Sequence, residues 1–138
     1  MKTVIFYIGS KYVRYLLVFF AVIALLRGHN HPGGGFIGGL LAGLSVVMKG
    51  FALETWQVRE QLRIKPDGYI AMGLSMIFLS LLPGLILEDI FMTGVWFSIP
   101  MPIIGELKLG TPLLFDIGVF FAVIGVTLMF LFSLKRAN

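Results

Sequence analysis

Four long apolar runs, separated by stretches rich in charge, glycine or proline, organise this chain. Gly68 to Leu87 is the cleanest, with twenty residues and no charge. At about 1.5 Å of rise per residue, such a run matches the ~30 Å hydrocarbon core of a bilayer. The pattern predicts transmembrane helices over about 10–26, 34–53, 68–87 and 113–134. Together they form one all-α integral membrane domain covering residues 1–138, with a folded outer connection between the third and fourth helices. Lys11 and Arg14 stand at the entry of the first span, where long stems lie along apolar surface while the charges reach the headgroups. Val4 to Gly9, ahead of them, is apolar too.

The connections differ in character. Glu54 to Lys65 mixes apolar and basic residues in a way that suits a short helix lying in the membrane interface, with Trp56 at headgroup depth. Glu88 to Pro112 is too apolar for a solvated loop, since it carries Phe91, Val95, Trp96, Phe97, Ile99, Met101, Ile103 and Ile104. Pro100 and Pro102 oppose a regular helix there, so a cap such as a hairpin, docked on other protein, is expected.

Composition fixes the solvent. Of 138 residues, 58% are hydrophobic and 13% charged, 13 are phenylalanine, and the mean hydropathy is +0.96. No water-soluble domain of this size can hide so much apolar surface. The basic, apolar start resembles a secretory signal, but no small-residue cleavage site follows and Arg27 abuts the next turn. With no cysteine, disulfides and thiolate chemistry are excluded. Nine basic residues (Lys2, Lys11, Arg14, Lys49, Arg59, Arg63, Lys65, Lys135 and Arg136) fall on one side of a four-span layout, and only Arg27 and Lys108 on the other. Basic residues gather on the cytoplasmic side, so both termini are expected there in a multi-pass protein of the cell membrane. The net charge of +4 then reflects orientation and contact with the lipid bilayer, not nucleic acid.

Between the first two runs lies Gly28-His29-Asn30-His31-Pro32-Gly33-Gly34-Gly35-Phe36-Ile37-Gly38-Gly39, a glycine-saturated turn that opens a helix. Glycine permits positive φ and close backbone approach. Gly35, Gly39 and Gly43 recur every four residues, Gly34, Gly38 and Ala42 form a neighbouring row, and Gly118 with Ala122 repeats the spacing in the last span. Rows of small residues let helices meet closely where lipid gives no hydrophobic drive to associate. Two parallel rows imply two partner surfaces, and the second is expected to face other subunits.

Candidates for chemistry are few. An intramembrane carboxylate costs about 2.5–3.5 kcal/mol on insertion scales, which makes Asp116 a default site. It has two readings: a structural anion near a helix start that Thr111 caps and Pro112 opens, or part of a cation or proton route. Lys49 is either a proton relay or a snorkelling cation one turn from the membrane edge. His29 and His31 with Glu88, Asp89 and Glu106 sketch only a weak metal site, because zinc needs three or four converging ligands. No Gly-Lys-Ser/Thr follows the glycines, so nucleotide binding is set aside. No nucleophile–base–acid grouping points to an enzyme, and no cofactor is implied.

The Gly28 to Leu40 segment resembles the signature of the B-type component of Mrp-type (Mnh-type) multisubunit sodium/proton antiporters, a family in which the position of His31 varies. Leu109-Gly110-Thr111-Pro112-Leu113-Leu114-Phe115-Asp116-Ile117-Gly118-Val119 resembles that family's other recurrent segment, at the start of its last helix. The resemblance covers essentially the whole chain. It implies an integral subunit of a complex that expels Na+ in exchange for H+, driven by the proton-motive force, with partners of the A, C, D, E, F and G types. On the reading of the glycine turn and rows above, His29, Asn30, Pro32, Gly33, Gly34, Gly35, Phe36, Gly38, Gly39 and Gly43 are expected to form the outer turn and subunit packing. Asp116, with Phe115 and Lys49, is then the candidate border of an ion route. Related subunits serve membrane-bound hydrogenase-type complexes, which is the alternative; a homo-oligomeric channel is a third, poorly served by a single carboxylate.

Overall fold

The computed structural model describes residues 4–28, 33–53, 55–88, 94–101 and 105–134. Five helices and one hairpin follow in order: α1 (Val4–Gly28), α2 (Gly34–Ala52), α3 (Thr55–Gln61), α4 (Pro66–Glu88), β1 (Trp96–Met101), β2 (Gly105–Gly110) and α5 (Thr111–Leu134). Four of them, α1, α2, α4 and α5, are long and apolar enough to cross a membrane. Their cores coincide with the expected spans. The first extends further, because Val4 to Gly9 continues the helix without a breaker.

Sequence order is not spatial order. α1 packs on α2, α2 on α5, and α5 on α4, so the last helix is inserted between the second and the fourth. The seams are lined by small residues and the outside by large ones. Of the 25 residues of α1 only Ser10 and Ala21 are buried, whereas Ile5, Phe19, Phe78 and Phe130 are 61–82% exposed. That inversion of a water-soluble core is what lipid permits: apolar side chains cost nothing outside, and dispersion contacts reward close backbones inside. The buried hydroxyls are satisfied within their own helices, Ser10 donating to the Tyr7 carbonyl (2.9 Å), Ser45 to Ala42 (2.6 Å) and Ser80 to Ile77 (2.6 Å). α4 runs through Pro83, whose missing N–H removes one rung of the ladder.

The connections have structure of their own. α3 buries Val58 and leaves Trp56 59% exposed, and the Arg59 guanidinium lies 6.0 Å from the Phe132 ring centroid, tying α3 to the end of α5. β1 and β2 pair antiparallel from Trp96 opposite Gly110 to Met101 opposite Gly105. In a two-stranded hairpin both strands are edges, which tolerates Pro100 within β1. Thr111 was expected to cap its own helix. Its hydroxyl instead accepts the Val95 N–H (3.1 Å) while its N–H donates to the Val95 carbonyl (3.0 Å), so the hairpin base is buttoned to the start of α5.

Candidate functional site

Both glycine rows of α2 are used inside this chain. A Cβ on Gly34 would collide with the backbone of Gly28 and Ala24, and one on Gly38 would lie 2.8 Å from the Ala21 carbonyl, so this row seats α2 on α1. A Cβ on Gly35 would fall onto the Asp116 carbonyl, one on Gly39 would lie 2.7 Å from the Phe120 carbonyl, and one on Gly43 2.7 Å from the Thr127 side chain; this row seats α2 on α5. The expectation that the second row faces other subunits is therefore corrected. The last helix, inserted beside α2, supplies the second partner. Gly118 and Gly125 extend the pattern to α4, against Gly73 and Ile77 and against Ile70 and Pro66. Gly73 escaped notice in the sequence because no other glycine stands three or four residues from it.

At the start of α2 the seams converge. Gly33 takes φ 101°, a left-handed conformation open to glycine, and delivers the chain into α2. It provides no side-chain cap. The Asp116 carboxylate of α5 approaches that end from outside, with the Gly35 N–H within its reach. One carboxylate oxygen also lies 2.9 Å from where a Cβ on Gly28 would stand. Gly28 thus leaves room for the charged side chain, while Gly35 lets the backbone that carries it come close. Asp116 is the sixth residue of α5, beyond the first turn where that helix's own dipole acts strongly. The N-terminus of α2, which it touches, is the stronger electrostatic partner, and a capping bond of this kind is worth about 0.5–2 kcal/mol.

The other candidates are dispersed. Phe115 is half-buried one residue before Asp116, and Phe36 points outward at 54% exposure, away from the seam. Lys49 sits fourteen residues after Gly35 on α2, about 21 Å away along the helix, and cannot join Asp116 in one site. It lines a small cavity with Tyr7, Ser10, Lys11, Arg14, Ala52 and Leu53. His29, Asn30, His31 and Pro32 lie outside the described residues.

The two motif-bearing segments, distant in sequence, therefore meet at one joint. A family model described as a domain related to the MnhB subunit of Na+/H+ antiporters matches residues 5–129. The chain belongs to that MnhB-related family. Two relatives, both named as the B-type component of a Na(+)/H(+) antiporter, are similar along nearly their full length. The one from Alkalihalophilus pseudofirmus is 29% identical over 92% of this chain and 88% of its own. The one from Bacillus subtilis is 32% identical over 87% and 84%. In a Rhizobium meliloti protein named as a probable A/B-type component of a K(+)/H(+) antiporter, the MnhB-like portion is 32% identical and covers 86% of this chain but only 12% of that protein. A solved Mrp complex from Dietzia sp. DQ12-45-1b contains a chain that superposes with a TM-score of 0.74 at 27% identity, over 91% of this chain and 13% of that one. This MnhB-type chain is thus a multi-pass membrane protein of an antiporter family, and relatives carry the same unit both alone and as a small part of a much longer polypeptide.

Proposed function

We propose that this chain is a non-enzymatic integral subunit of a heteromeric antiporter that expels Na+ in exchange for H+, with the A-type partner among its direct neighbours. The observation that carries this is the full-length likeness to free-standing B-type proteins together with the occurrence of the same unit inside a longer A/B-type polypeptide. Two units that tolerate covalent fusion have ends and faces that lie near each other. The further partners are of the C, D, E, F and G types. The excess of basic residues at the α3 end sets both termini in the cytoplasm and the hairpin outside.

In this reading the chain is a scaffold whose glycine seams hold its own four spanning helices in register, leaving their outer faces to partner subunits. Asp116 borders the ion route or orders its wall from a fixed position at the start of α2. Copurification from membranes in mild detergent tests the assembly: a stable set of unlike membrane proteins is expected, and a lone oligomer that moves cations in liposomes overturns it. Exchange by vesicles carrying Asp116→Asn tests the carboxylate. Normal assembly with exchange reduced tenfold or more supports a role along the route, and unchanged exchange reduces Asp116 to a structural cap. Relatives are named for both Na+ and K+, so fluxes of the two ions are compared in the same vesicles.

A further inference from the structure

At the end of α2 opposite the Asp116 joint, Lys49 converges with Lys11 and Arg14 of α1 on a cavity of about 70 Å3. Tyr7, Ser10, Ala52 and Leu53 complete its wall, and among the described residues no carboxylate lines it. Lys49 and Arg14 are half-buried, and the Arg14 guanidinium is held 5.4 Å from the Tyr15 ring centroid. Packing of α1 on α2 brings the three cations together, although the sequence separates Lys49 widely from the other two. Like charges gathered in one concavity repel, and an anion seated among them relieves that cost.

We propose that this pocket holds the phosphate of an anionic phospholipid. The cavity exceeds the about 10–15 Å3 a single water needs, which leaves room for a group of a few heavy atoms, yet it is far too small for a helix or strand of another protein. Its depth fits a headgroup: Lys49 is one turn inside the end of α2, and Lys11 and Arg14 stand two to three turns inside the start of α1. Exposed Val18 and Phe19 continue from the cations along α1 toward the membrane centre and offer a surface for acyl chains. Basic pockets between helix ends attract anionic headgroups at about 1 kcal/mol per cation, a factor of about five each.

The test uses the assembled complex in mild detergent, with retained lipid read by native mass spectrometry after incubation with phosphatidylglycerol, phosphatidylcholine or inorganic phosphate. Wild type is expected to retain phosphatidylglycerol in preference to phosphatidylcholine. Lys11→Gln/Arg14→Gln/Lys49→Gln lowers that preference roughly a hundredfold, each single change about fivefold, and Lys11→Arg/Lys49→Arg preserves it. Where the triple variant does not accumulate, the single changes carry the same reading. Equal retention of the two lipids, an unchanged preference in the Gln variants, binding of inorganic phosphate alone, or loss of a partner protein instead of a lipid each overturns the proposal.

Discussion

The two ends of α2 are built on opposite plans. At the Gly35 end backbones touch and almost nothing projects: Gly34 and Gly35 meet main chain of α1 and α5, and Gly28 leaves space for a single carboxylate close to the Gly35 N–H. At the Lys49 end side chains splay around a cavity, and no backbone is in the way. Gly50, near that end, makes the contrast at a single residue type. A Cβ there would stand 3.4 Å from the Leu131 side chain, ordinary contact with a flexible neighbour. One end of the helix is fixed by its own fold, and the other is open to adjustment by whatever lies beside it.

The largest effect expected of any substitution is at Gly35. Gly35→Leu drives a side chain into the Asp116 carbonyl, and overpacking of this kind costs about 3 kcal/mol or more where backbone must move. The complex should fail to assemble, as read by recovery of the partner proteins after detergent extraction; normal recovery would remove the distinction between the two ends. Asp116→Leu comes next, leaving the start of α2 uncapped at a cost of about 1–2 kcal/mol, whereas Asp116→Asn keeps an acceptor and loses only the charge. Thermal unfolding should place Leu below both wild type and Asn. Thr111→Val breaks the bond to the Val95 N–H and costs about 1 kcal/mol, visible as faster amide exchange at Val95 with the helices unchanged. Smallest is Gly50→Ala, which is expected to stabilise by up to about 1 kcal/mol, because a helix gains from alanine when its Cβ meets no obstacle. A destabilised Gly50→Ala would show that the Lys49 end is packed as rigidly as the Gly35 end.

How much of this the sequence discloses follows from what each kind of signal encodes. Helix length is written locally, in uninterrupted apolar runs, so all four spans are legible to within a turn or so, apart from the extension of α1 to Val4. Pro100 and Pro102 among apolar residues mark a folded connection, and the hairpin lies there. A row of glycines states that something comes close without stating what. The Gly35 row could not declare α5 as its partner because the order α1, α2, α5, α4 is a property of the whole chain. Asp116 was legible as an expensive residue, but the group it meets is a backbone N–H of a distant helix, which leaves no mark in side-chain identity. For the same reason Lys11 and Arg14 read as ordinary snorkelling cations until α2 sets Lys49 beside them.

The intercalated position of α5 has a consequence for biogenesis. α1, α2 and α4 are synthesised before the helix that separates α2 from α4. Until then α1 and α2 can close only their own seam, and the Gly39 and Gly43 face of α2 and the Gly73 face of α4 both stay vacant until the final segment closes two interfaces at once.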